Sequence, residues 1–384
     1  MRRLAPLLAL AFAPALIASG SAAAGTGAND FYAVPESLAA ARPGSLIRAA
    51  RIEAPDGAKA WRVLYHSRTV DGRDIAVSGV VVAPEDKPPK GGRPILSWAH
   101  GTTGIADVCA PSKSPTIASS IPYVADFLKA GYVVAATDYE GLGTPGVHPF
   151  LVGDSEAHGV LDAARAARRL DGTGAGRDLV VFGHSQGGHA ALFAGERARS
   201  YAPELRLDGV VAGAPAADLD VLIPAASAVK PAFGLMVLVS KGFQAAYPEA
   251  DPATVLTPGA IAESAIAEDH CVTDVIRQFA GTADPVVARN PADTPPWPDL
   301  LHENSAGHRA AGAPLLVVQG AADQIIVRGL TDAWVQQACG EHDVLDYHVY
   351  DGADHGSVLT AARNDVLAFL AARLERKPAR NNCP

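Results

Sequence analysis

The sequence predicts an α/β fold, a mostly parallel sheet flanked by helices, with an inserted and mainly helical cap. Three observations carry this reading. Short apolar runs rich in valine, leucine and isoleucine recur along the chain, as strands buried on both faces do. Helical segments separate the later runs, which calls for crossover connections rather than hairpins. From Ala217 to Ala311 the strand rhythm stops, and it resumes at Leu315. Such an excursion is expected to lie over the strand ends, where open α/β sheets bind ligands.

The elements follow in order. Trp61 to His66 and Ala76 to Ala83 read as an early antiparallel pair. Ile95 to Trp98, Tyr132 to Thr137, Leu179 to Phe182, Gly209 to Ala212, Leu315 to Val318 and Leu345 to Tyr350 read as the later strands. Thr116 to Lys129, Ser155 to Leu170 and His189 to Ser200 are helical by composition, and Leu359, Val366, Leu370 and Leu374 give a last helix one apolar face. The expected division is a core in two parts, residues 25–216 and 312–384, around a cap at 217–311.

A chain of 384 residues that is 48% apolar and 19% charged can bury a large core. Its formal net charge of −9 argues against a nucleic-acid partner, because binding a phosphate backbone needs clustered Lys and Arg. The N-terminus pairs Arg2 and Arg3 with an apolar stretch and an Ala-x-Ala ending at Ala24. This reads as a signal peptide over residues 1–24, and hence as a secreted or periplasmic protein. Pro6, Pro14 and the small-residue tail argue against a membrane anchor. Cys109, Cys271, Cys339 and Cys383 suit two disulfides, and the spacing leaves all three pairings open. No Cys-x-x-Cys or His-x-x-x-His element recommends a metal, and no cofactor is implied. Nothing in the chain speaks to its oligomeric state.

The chemistry is signalled by Gly183-His184-Ser185-Gln186-Gly187, placed between a short buried strand and a helix. In that setting the pattern describes a nucleophile elbow, a tight turn that lifts the serine hydroxyl above the sheet. A serine needs a base, and the base needs an orienting acid. Both follow in the expected order. Asp323 lies on the loop after the Leu315 to Val318 strand, and His355 on the loop after the Leu345 to Tyr350 strand. Asp351 and Asp354 are rival acids, but they sit too close to His355 in the chain to reach the far ring nitrogen. His184 and His189 are expected to pack near the elbow rather than bind metal. An oxyanion would be held by the backbone amide of Gln186 and by one from Ala99-His100-Gly101-Thr102-Thr103-Gly104, with Thr102 preferred and Thr103 behind it.

With these residues in place the chain resembles an α/β-hydrolase, and more narrowly the secretory lipase family that includes fungal lipase A. The likeness is carried by Gly183 to His189, by Cys109-Ala110-Pro111-Ser112 after the oxyanion loop, and by Gly320 to Asp323 with Asp354-His355. It implies a helical cap over an acyl site and hydrolysis of carboxylic esters, often acylglycerols. It also implies pairing of Cys109 with Cys271 and of Cys339 with Cys383. One departure stands out: the fungal pattern has an acidic residue in the oxyanion loop, whereas this chain has Thr102 and Thr103. The apolar stretches Val221 to Val229 and Pro231 to Val239 either line an acyl tunnel, make transient contact with a lipid interface, or form the cap's own core. The alternative enzyme is a serine peptidase of the same fold, an aminopeptidase like prolyl oligopeptidase. A hydrolase fold kept only for binding would be expected to lose one of Ser185, Asp323 or His355.

Overall fold

The structure, a computed structural model, describes residues 30–383 apart from residues 36, 37 and 342. The expected signal peptide at residues 1–24 lies outside the described residues. Nine strands form one sheet: β1 (Leu46–Ile52), β2 (Ala58–Arg68), β3 (Asp74–Pro84), β4 (Arg93–Ala99), β5 (Val133–Thr137), β6 (Ala175–His184), β7 (Arg206–Gly213), β8 (Leu315–Gly320) and β9 (Leu345–Tyr350). Their spatial order is β1-β2-β3-β5-β4-β6-β7-β8-β9. Pairing is antiparallel from β1 through β3 to β5, and parallel from β5 through β4 to β9. Helical crossovers account for the parallel part, because each returns the chain to the same end of the sheet.

Two elements differ from the sequence reading. The strand β1, Leu-Ile-Arg-Ala-Ala-Arg-Ile, was not expected, and it is a half-exposed edge whose two arginines interrupt any apolar run. Arg51 lies over the Trp61 ring at 4.6 Å, so its charge is accommodated on the neighbouring strand. The single helix expected over Thr116 to Lys129 is two short ones, Ile117–Ser120 and Val124–Lys129. The break falls at Tyr123, whose φ of 58° is left-handed. It follows Pro122, which lacks the N–H an uninterrupted helix would use.

Both faces of the sheet are covered. On one, the helices Gly153–Arg169 and Gln186–Tyr201 pack through alanines, Val160, Leu161, Leu192 and Phe193. On the other, Val124–Lys129 and Val358–Leu374 pack through Phe127, Val366 and Leu370 onto Phe182 and Val211. The helical apolar face expected near the C-terminus is therefore real, although Leu374 itself is exposed.

Between β7 and β8, where the cap is expected, the chain forms six α-helices, three single-turn 3-10 helices and one isolated bridge, Leu256 to Val287, among the described residues. The longest, Phe233–Ala246, buries Met236, Val237, Leu238, Val239 and Phe243 against Val275, Phe279 and Trp297. Most of the second apolar stretch is thus the cap's own core, while Val221 and Val229 are about half exposed (48% and 49%). The pairings Cys109–Cys271 and Cys339–Cys383 are those the family resemblance implied. The first ties the cap to the segment after the oxyanion loop. The second holds the C-terminal segment beside β9, where Asn382 exchanges side-chain hydrogen bonds with the Tyr347 backbone and so covers an edge strand.

Candidate active site

The elbow joins β6 to the helix Gln186–Tyr201, and sterics explain its glycines. A Cβ on Gly183 would lie 1.8 Å from Gly187 O, and one on Gly187 would lie 1.9 Å from Ala99 O. Both contacts are with backbone, which has nowhere to move. Gly187→Ala is therefore expected to unfold the elbow, lowering stability by about 3 kcal/mol or more in a denaturant titration. Ser185 takes φ 59° and ψ −119°, a conformation that L-residues avoid and that costs roughly 1–3 kcal/mol. Backbone bonds hold it there: Ser185 N donates to Gly213 O at 2.9 Å, and Ser185 O accepts from His189 N at 3.1 Å and Ala216 N at 3.3 Å.

Three side chains separated widely in sequence converge at this turn. Ser185 Oγ lies 2.9 Å from His355 Nε2, and His355 Nδ1 lies 2.7 Å from Asp323 Oδ2. Asp323 is buried, and its other oxygen accepts from the backbone amides of Ile325 (2.8 Å) and Ile326 (2.9 Å). Burial alone would raise this carboxyl. The hydrogen bond and charge of His355, with the two amides, outweigh burial and hold it below the usual carboxylate range. The loops bearing acid and base are zipped together, since Ala321 N donates to Tyr350 O and Ala322 N to Ala353 O. Asp354 is occupied elsewhere: its carboxylate accepts from Ser357 N and Ser357 Oγ at the start of the last helix. His184 Nε2 donates to the His355 carbonyl at 2.7 Å, which fixes the base loop against the elbow. Burial, with the neighbouring His355 ring, depresses His184 to about 4, so at neutral pH its ring is uncharged.

The expected oxyanion loop runs beside Ser185. A Cβ on Gly101 would sit 3.7 Å from Ser185 Cβ, which places the segment that continues into Thr102 beside the Ser185 side chain. The loop is anchored along its length. Tyr139 Oη donates to His100 O at 3.0 Å, and Val272 N donates to Thr103 O at 2.8 Å, one residue from the Cys109–Cys271 bridge.

Sequence reasoning assigned Gln186 only its backbone amide and missed what its side chain does. Gln186 Nε2 donates to Glu156 Oε1 at 2.8 Å and to His148 Nε2 at 2.7 Å, and both partners are fully buried. His148 in turn donates through Nδ1 to Glu140 O, and burial drives its ring down to about 3, which leaves Nε2 free to accept. Glu156 Oε2 lies 2.7 Å from His189 Nδ1, and His189 Nε2 donates to Asn304 O at 2.8 Å. A chain of hydrogen bonds thus runs from Asn304 to Gln186, the residue after Ser185. The only sequence trace is Glu156 amid an alanine-rich helical face; the pattern marks burial but not the partner.

Residues 110–382 match the secretory lipase family. The chain belongs to that family. Membership assigns the reaction class, carboxylic ester hydrolysis, and an ester substrate. A secreted triacylglycerol lipase of Malassezia globosa is 24% identical over 92% of this chain and 82% of its own length. A probable inactive lipase of Mycobacterium tuberculosis is 25% identical over 91% of this chain and 82% of its own. Among solved structures, lipase A of Candida antarctica in its closed state superposes with a TM-score of 0.77, covering 94% of this chain and 89% of that one at 18% identity. That likeness concerns the fold, an α/β-hydrolase sheet flanked by helices.

Proposed function

We propose that this protein is an exported serine hydrolase that cleaves carboxylic esters through an acyl-enzyme on Ser185. The observation that carries the proposal is the continuous hydrogen-bonded chain from Ser185 Oγ through His355 to the buried Asp323. One relative is named a probable inactive lipase, so likeness to lipases does not by itself argue for turnover, and the three bonded residues are what support it here. In the first step His355 Nε2 takes the Ser185 proton as Oγ bonds to the carbonyl carbon. The resulting oxyanion is held by the amides of Gln186 and Thr102. The same nitrogen then protonates the leaving alcohol. Water, deprotonated by His355, cleaves the acyl-serine and restores the enzyme. Asp323 keeps the proton on His355 Nδ1 and stabilises the imidazolium. We place the acyl group beneath the cap, residues 217–311, between core parts 25–216 and 312–384. The two disulfides support export, with cleavage proposed after Ala24.

The test is the hydrolysis of p-nitrophenyl esters from acetyl to palmitoyl, with labelling by a serine-directed phosphonate. Labelling of Ser185 with a maximum at long chains is expected, because the cap presents apolar Val221 and Val229 to solvent. A maximum at acetyl would make the enzyme a short-chain esterase. Cleavage of aminoacyl amides without ester turnover would replace it by the peptidase reading.

A further inference from the structure

We propose that Asp220, His302 and His308 form a binding site for a divalent transition metal of the zinc class at the base of the cap. A donor atom of each lies within 4.8 Å of the other two. Asp220 Oδ2 is 2.9 Å from His302 Nδ1, and the rings of His302 and His308 are 4.2 Å apart, tilted by 46°. In a tetrahedral zinc site with bonds of about 2.0–2.1 Å, neighbouring donors are roughly 3.3 Å apart. Closing from 4.8 Å to that spacing asks only for movements of about 1 Å. His302 is exposed (64%) and Asp220 half-buried (36%), so the adjustment moves surface side chains and not the core.

The donor set selects the metal. Two imidazoles and one carboxylate suit zinc, nickel, cobalt or copper, whereas calcium and magnesium prefer oxygen alone. Three protein donors on an open surface leave a fourth position for water. An outer partner is also present: the Gln337 side-chain amide lies 3.3 Å from His308 Nδ1. When Nε2 binds metal the ring proton moves to Nδ1, and this amide can turn its oxygen to accept it.

The location gives the site a purpose. Asp220 begins the first cap helix, Leu219–Ala226; His302 belongs to the last, Trp297–Glu303; and His308 lies on the return to β8. Ala306 N already donates to Ala217 O at 2.8 Å, and Ser305 Oγ accepts from the amides of Leu219 and Asp220. Gln337 adds the core helix Arg328–Gly340, which follows the Asp323 loop. A metal here would join both chain crossings of the cap. Spacing could not reveal it, since Asp220 and His302 are 82 residues apart.

The test uses the full chain after chelator treatment and dialysis. Zinc chloride titrated by calorimetry should bind with one high-affinity site and raise the unfolding temperature by roughly 3 °C or more at saturation. His302→Ala and His308→Ala should each weaken that site by at least the 10–100-fold typical of losing a mere outer partner. Both variants should keep the metal-free ester turnover of the wild type, since neither residue touches the elbow. Absence of zinc binding would overturn the proposal, as would equal affinity in the His302→Ala/His308→Ala double variant. An equal shift with calcium chloride would also overturn it, because the imidazoles would then be irrelevant.

Discussion

Ser185→Ala is expected to lower kcat for ester hydrolysis by on the order of 10⁴–10⁶-fold, while the protein stays folded. The two halves of this expectation have separate physical sources. The backbone bonds that hold the elbow use Ser185 N and O, not its side chain, and alanine retains them. The side chain's recorded partner is His355 Nε2, so its loss breaks one partly buried hydrogen bond and shifts the unfolding temperature by no more than a few degrees. Chemistry should be lost more completely, because among the described residues no other hydroxyl is hydrogen-bonded to His355 Nε2. Parallel measurement of turnover and thermal unfolding checks both halves. Adding His355→Ala to Ser185→Ala should cost almost nothing further, since residues that act as a unit are strongly non-additive. If Ser185→Ala kept more than about a hundredth of wild-type turnover, the nucleophile would lie elsewhere.

Why Ser185, His355 and Asp323 could be picked out of the sequence while the residues packed behind them could not is a matter of what a sequence pattern records. Apolar runs report burial on both faces, so β4 to β9 and the order Ser185, Asp323, His355 could be read from strand ends and the loops beyond them. The edge strand β1 carries Arg48 and Arg51, and burial gives it no such signature. The same limit hides the network behind Gln186. Glu156, His148 and His189 each read as an isolated polar residue, and only the fold brings them within hydrogen-bond distance. The cysteine pairing came from family resemblance, because the chain's spacing permits three arrangements and the fold selects one. The Asp220, His302 and His308 cluster is hidden for a related reason: motif spacing finds ligands on one element, and these lie on three segments.

Asp323→Asn, sterically almost neutral, is expected to lower kcat by about 10⁴-fold, the scale on which the wrong imidazole tautomer acts in a serine triad. The local geometry decides how the new amide must sit. Oδ1 is held by two donors, the amides of Ile325 and Ile326, so only the oxygen of asparagine can occupy that place. The NH₂ group then falls where Oδ2 was, facing His355 Nδ1 at about 2.7 Å. There it donates to Nδ1 and drives the ring proton onto Nε2, which can no longer accept from Ser185. It also meets the Gln319 Nε2 donor, 3.2 Å away, so the turn loses a further hydrogen bond. Flipping the amide sets the NH₂ against two backbone donors and opens the loop that zips Ala321 and Ala322 to the base strand. Either placement removes the base. KM should change little, because Asp323 is buried and bonded to His355 Nδ1 on the side away from Ser185. The wild-type carboxylate is held below its ordinary pKa, so its contribution to stability is present above the normal carboxylate range and lost as the pH falls. The asparagine variant should therefore lose part of the wild-type decline in unfolding temperature on acidification. Asp354→Asn is the control, since Asp354 serves only the start of the last helix and should leave kcat within about threefold of wild type. A kcat for Asp323→Asn within tenfold of wild type, with a large loss in Asp354→Asn, would transfer the orienting role to the nearer acid and overturn the assignment.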